Sequence, residues 1–172
     1  MAPTNDIRLP TDSVLALRRA LMRQVGTADA TRALQEAGHA AGDALFERLD
    51  DGTLGGTPRD TFWGRVADLF RELGWGDIAH ETPHPGVGAL VARDWFEVEE
   101  EAARPACPFT TGVIANLLGR AADGEVAVLQ VSCERDDERC ARFLFGAPAV
   151  LDQLYAGLRE GADVDAILAT LG

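Results

Sequence analysis

The sequence has no cluster of basic residues, and its 16 basic side chains are outnumbered by 28 acidic ones. The formal net charge is −12 at pH 7, and the negative charges are spread along the chain. A surface that follows a phosphate backbone needs grouped arginine or lysine side chains. We therefore expect no nucleic-acid partner.

Long apolar runs are also missing, since no run approaches the roughly 18 residues that span a bilayer. The N-terminal stretch MAPTNDIRLPTDSVLALRRALMRQV mixes charged residues with apolar ones. It lacks the continuous apolar core and the small-residue cleavage site of a secretory signal. These absences predict a cytoplasmic protein with no membrane partner.

Common enzyme motifs are absent. The sequence contains no nucleotide-binding glycine loop, no nucleophile elbow and no paired histidine motif. The glycine-rich segment 52–56 lies between two predicted helices, whereas a phosphate cradle joins a strand to a helix. We therefore expect a protein without catalytic activity. A length of 172 residues with 47% hydrophobic content predicts one domain covering residues 1–172.

The hydrophobic spacing predicts an α+β fold in which N-terminal helices pack on an antiparallel sheet. The predicted helices cover residues 11–25, 28–49, 57–74, 107–120, 147–160 and 164–171. The predicted strands lie within residues 74–81, 86–101, 125–133 and 140–145. The last two strands form a hairpin that places Cys133 opposite Cys140, and helices follow it.

Residues 1–26 are predicted to form a helical extension to a domain of residues 27–172. Its apolar side chains are Leu15, Leu17, Leu21 and Met22. A small protein of this kind commonly buries such a helix against a second copy in a two-fold interface. We therefore expect a homodimer.

The chain has three cysteines, Cys107, Cys133 and Cys140. Because cytoplasmic thiols are kept reduced, we expect free or metal-bound thiols rather than a disulfide. A hairpin pair and a cysteine at a helix N-terminus allow the tetrahedral geometry of zinc. The same helix N-terminus favours the thiolate form of Cys107. The alternative is that these cysteines are ordinary buried apolar side chains.

Three segments, GHAAG, CPFTTGVIANLLGR and VLQVSCERDDERCARFLF, resemble the 4-vinyl reductase domain family. This small-molecule-binding domain is also present in phenol-responsive bacterial transcription activators and is similar to transport-particle subunits of the secretory pathway. The resemblance implies a structural zinc site at Cys107, Cys133 and Cys140. It also implies a glutamate three residues before the second hairpin cysteine, where this chain has Gln130, a poorer ligand. The alternatives for the fourth position are water or a loop carboxylate, namely Glu134, Asp136, Asp137 or Glu138.

We predict an apolar ligand pocket between the helices and the sheet, lined by His39, Phe46, Phe62, Trp63 and Trp95. The role of Trp95 comes from the resemblance, because relatives have a ligand-contacting tryptophan on the corresponding strand. Other features are interpreted structurally. Gly38 and Gly42 indicate close helix packing, while His80, His84 and the acidic run Glu97–Ala102 are expected to face solvent.

These observations predict a non-catalytic domain that binds or senses a small hydrophobic or aromatic molecule. Two alternatives remain at this point. One is a structural or adaptor homodimer, which the similarity to transport-particle subunits allows. The other is an accessory protein of tetrapyrrole metabolism. The sequence contains no helix-turn-helix or ATPase module, so a sensor of this kind needs a partner for its output.

Overall fold

A computed structural model describes residues 9–99, 106–133 and 139–171 of the chain. Its helices are α1 (Thr11–Val25), α2 (Thr27–Leu49), α3 (Arg59–Glu72), α4 (Pro108–Ala122), α5 (Pro148–Arg159) and α6 (Val164–Leu168). Its strands are β1 (Asp77–His84), β2 (Val87–Arg93), β3 (Ala127–Val131) and β4 (Ala141–Gly146). The predicted α+β fold is confirmed. No helix in the described ranges is long and apolar enough to cross a membrane.

The strands form one antiparallel sheet in the order β1-β2-β4-β3. Because successive side chains of a strand point to opposite faces, each strand supplies both sides of the sheet. One face, with Ile78, Leu90 and Phe143, packs under α2, α3 and α4 and forms the larger core. Helices α5 and α6 cover the opposite face, where Val87 and Leu144 are buried. The candidate site lies on the first face.

Glycines bring α2 and α4 into backbone contact. A Cβ atom at Gly38 would overlap the carbonyl oxygen of Phe109, and one at Gly112 would overlap that of Gln35. At Gly42, a Cβ atom would lie 2.7 Å from Cβ of Asn116. The expected packing role of Gly38 and Gly42 is therefore confirmed, and α4 is held at a fixed height above the sheet.

Candidate functional site

A group of aromatic rings lies between α3 and the edge of the sheet. The rings of Trp63 on α3 and His80 on β1 are stacked, with centroids 4.0 Å apart and planes 8° from parallel. Phe145 on β4 lies 5.6 Å from Trp63 and 6.0 Å from His80. Phe62 meets Trp63 edge-on at 4.8 Å. We call Phe62, Trp63, His80 and Phe145 the aromatic site.

Local periodicity explains why these side chains meet. His80 follows the buried Ile78 by two residues, so both side chains lie on the helix-covered face of β1. Trp63 precedes the buried Val66 by three residues, which places both on the same side of α3. Gly88 leaves room for the ring of Phe145, because a Cβ atom at position 88 would overlap that ring. All four of these residues are only partly buried.

Polar groups flank the rings. The indole Nε1 of Trp63 is buried and has no hydrogen-bond partner among the described residues. Arg59, at the first turn of α3, donates to the Thr82 hydroxyl at 3.0 Å, and its Nη2 lies 3.5 Å from Nε2 of His80. Burial lowers the pKa of His80, and the nearby Arg59 charge lowers it further. These effects favour the neutral imidazole at pH 7, and among the described residues the indole N–H is a donor without an acceptor.

The prediction that His80 faces solvent holds only in part, because the side chain is half-buried. The ring stacks on Trp63, and the side chain shares a face with the core residue Ile78. Strand alternation predicts this placement. His80 is separated from the apolar Ile78 by one residue, Ala79, so the two side chains lie on the same face of the strand. The prediction of solvent exposure rested instead on the nearby turn that contains Pro83 and Pro85.

The other predicted pocket residues lie elsewhere. His39 on α2 is exposed, and its Nδ1 is 2.9 Å from Nδ2 of Asn116. The ring of Phe46 lies 4.4 Å from the guanidinium carbon of Arg120. The structure thus brings Phe62 and Trp63 together with His80, and it places His39 and Phe46 along α4. A ligand role for His39 and Phe46 stays a prediction.

Trp95 belongs to the core. It is fully buried, packs against Phe70 and Trp75 with centroids 5.4 and 6.2 Å away, and donates its indole N–H to the Thr110 hydroxyl at 2.8 Å. Its predicted position on a strand is wrong, because β2 ends at Arg93 and Asp94 has a positive φ of 49°. Its indole N–H already has an acceptor, unlike that of Trp63. A ligand role for Trp95 stays a prediction.

Glu97 is a buried carboxylate at the start of α4. It is 2% exposed and accepts hydrogen bonds from the backbone N–H groups of Phe109 at 2.9 Å and Thr110 at 2.8 Å. Arg18 of α1 donates to its carbonyl oxygen at 3.0 Å. Burial raises the pKa of the Glu97 carboxyl, and these hydrogen bonds and the Arg18 charge oppose the rise. The prediction of a solvated acidic run is wrong for Glu97; residues 100–102 lie outside the described ranges.

The sulfur atoms of Cys133 and Cys140 lie at disulfide distance at the loop end of the β3–β4 hairpin, with Cα atoms 6.0 Å apart. The hairpin register brings the two side chains together, as predicted. Whether the pair is free or metal-bound, as expected, or disulfide-linked is decided by the thiol count described below. Cys107 is a buried free thiol. Burial raises its thiol pKa well above the usual range, which opposes the expected thiolate form when no metal is bound.

The described residues do not support a zinc site. A disulfide would remove two thiolate ligands, and Gln130 already contacts Cys107. Oε1 of Gln130 accepts from the Cys107 backbone N–H at 2.6 Å, and its Nε2 lies 3.7 Å from Cys107 Sγ. Within residues 9–99, 106–133 and 139–171, no three His, Cys, Asp or Glu side chains are grouped to hold a metal ion. The alternative ligands Glu134, Asp136, Asp137 and Glu138 lie outside the described ranges. Zinc binding stays a prediction.

A thiol count decides between the disulfide and the zinc prediction. Protein that is denatured without reductant and alkylated should carry one modified cysteine, Cys107, and elemental analysis should find no stoichiometric zinc. After reduction, the same treatment should modify all three cysteines. Three modified cysteines without reductant, together with one zinc per chain, would instead support the zinc prediction.

Comparison with solved structures shows that the fold is similar to that of a small sensory domain. The phenol-responsive sensory domain of the transcription activator PoxR is similar with a TM-score of 0.69 and 18% sequence identity, over 95% of this chain and 83% of that chain. A vinyl-4-reductase family protein from Methanocaldococcus jannaschii has a TM-score of 0.49 and 13% identity, over 82% and 83% of the two chains. No protein-family model and no curated protein matches the sequence. The comparison with PoxR confirms the predicted resemblance at the level of the fold.

Proposed function

We propose that the protein is a non-catalytic sensory domain that binds a small aromatic molecule at the aromatic site. The observation that carries this proposal is the stacked pair of Trp63 and His80, beside a buried indole N–H that has no acceptor in the described part of the chain. The fold similarity to PoxR, a phenol-responsive domain, supports it.

The chemistry of the site suits a flat ligand with a polar substituent. Ligand sites are mostly apolar and contain a few polar groups that fix orientation. The rings of Trp63, His80 and Phe145 offer faces and edges for an aromatic ring. A buried donor without a partner costs about 1–3 kcal/mol, so a ligand oxygen that reaches Nε1 of Trp63 gains that much in addition to ring contacts.

Trp63→Phe tests the proposal because it keeps a ring and removes the N–H group. We expect calorimetric titration with phenol to show binding to the native protein and about tenfold weaker binding to Trp63→Phe. The matched control is Trp75→Phe, since Trp75 packs with Phe70 and Phe96 away from the site. Phenol affinity that is equal in all three proteins, or no binding of any aromatic probe, contradicts the proposal.

Self-association is a second candidate function. Leu17 on α1 is 67% exposed, and Val25 at the end of the same helix is 47% exposed. Burial of such side chains between two copies is the simplest reason for an apolar surface on α1. This surface supports the predicted homodimer and, with it, the adaptor interpretation.

Light scattering checks the homodimer. The native protein should have about twice the chain mass at micromolar concentration, and Leu17→Glu should be a monomer because it would bury charge in the interface. Tyr155→Ser, which changes a 52% exposed side chain on α5, should remain dimeric. A monomeric native protein would rule out the homodimer without affecting the ligand proposal.

A further inference from the structure

The hydrogen-bonding groups around the aromatic site leave donors rather than acceptors for a ligand. A guanidinium group only donates, so Nε2 of His80, which lies 3.5 Å from Nη2 of Arg59, must be the acceptor nitrogen of the ring. The hydroxyl oxygen of Thr82 also accepts from Arg59, at 3.0 Å, and keeps its proton for another acceptor. The indole N–H of Trp63 is a donor by chemistry.

Arg59 is also a cation without a carboxylate partner in the described part of the chain. Its described polar contacts are Thr82 and His80, both uncharged. Two acidic side chains, Asp60 and Glu81, act on His80 at longer range. Glu81 is already 3.8 Å from the guanidinium of Arg142. The positive charge of Arg59 is therefore left at the edge of the aromatic site.

We infer that the ligand is an aromatic carboxylate, whose ring packs on Trp63 and His80 and whose carboxylate binds Arg59. This inference rests on the proposed function and narrows it from aromatic molecules in general. Nη2 of Arg59 lies 3.5 Å from Nε2 of His80, which is close enough for one small molecule to contact both groups. A carboxylate offers only acceptors and carries the opposite charge, whereas a phenol hydroxyl is neutral and uses one position as a donor.

Calorimetric titration with benzoate and phenol at pH 7 tests the inference. Because a charge-assisted hydrogen bond is roughly twice as strong as a neutral one, benzoate should bind about tenfold more tightly than phenol. Arg59→Gln should lower the benzoate affinity about tenfold and the phenol affinity by much less. Arg65→Gln is the matched control on the same helix, because Arg65 pairs with Asp51 at 2.7 Å, and it should change neither affinity.

The outcomes separate the inference from the proposed function. If phenol binds in a Trp63-dependent manner but benzoate binds no more tightly, the inference is overturned and the proposed function stands. The inference is also overturned if Arg59→Gln lowers the affinities for benzoate and phenol equally, or lowers neither. If neither probe binds the native protein, both the inference and the proposed function fail. Thermal melting of Arg59→Gln should match the native protein, since Arg59 is exposed.

Discussion

Replacing Gly38 with alanine is expected to lower the free energy of unfolding by about 3 kcal/mol, near the upper end for overpacked cores. The added methyl group would overlap the carbonyl oxygen of Phe109, which is backbone and cannot rotate away. The two helices must therefore separate, and α4 must move relative to the sheet beneath it. Alanine gains about 1 kcal/mol of helix propensity over glycine, which offsets only part of this cost.

Gly64→Ala is the matched control for this effect. Gly64 lies inside α3, and a Cβ atom there would have no heavy atom within 4 Å. This substitution should stabilise the protein by up to about 1 kcal/mol, because only helix propensity changes. Urea denaturation measures both variants. Equal stability of Gly38→Ala and the native protein would show that α2 and α4 are not in backbone contact.

Glu97→Ala is expected to destabilise the protein by about 3 kcal/mol. It leaves the N–H groups of Phe109 and Thr110 without their acceptor and removes the negative charge beside the buried Arg18. The stability of Glu97→Gln should lie between those of the native protein and Glu97→Ala. Its amide oxygen can accept from one N–H, while its NH₂ group faces another donor.

The control for the carboxylate is Glu81→Ala. Glu81 is half exposed and lies 3.8 Å from Arg142, so its loss should change stability by less than about 1 kcal/mol. Urea denaturation again provides the measurement. If Glu97→Ala were as mild as Glu81→Ala, the buried network joining α1 to the start of α4 would contribute little to stability.

Helices were predicted well because their signals are local. The helix predicted from the apolar spacing of Val14 to Val25, and the helix start predicted at Thr57 and the proline after it, agree with α1 and α3 to within a few residues. The β3–β4 hairpin was also predictable, because two apolar stretches flank one charged loop. Its register places Cys133 opposite Cys140, as the sequence predicted.

The candidate site was harder to predict because its residues depend on contacts between distant elements. Glu97 belongs to an acidic run, and its burial follows from capping α4, which a charge pattern does not reveal. To predict the placement of His80, the alternation of side chains along β1 must be followed into a segment that contains a proline. Trp95 was assigned to a strand because nothing in the sequence marks the positive φ of Asp94, where the chain leaves β2.

The indole N–H signals of the three tryptophans test the central claim most directly. In a nitrogen–proton NMR spectrum, each Trp→Phe variant identifies one signal by its loss. We predict that phenol or benzoate shifts the Trp63 signal in a saturable manner and leaves the Trp95 signal in place, because the N–H of Trp95 is already bonded to Thr110. A saturable shift of Trp95 with Trp63 unchanged, or no shift of either signal, would contradict ligand binding at the aromatic site.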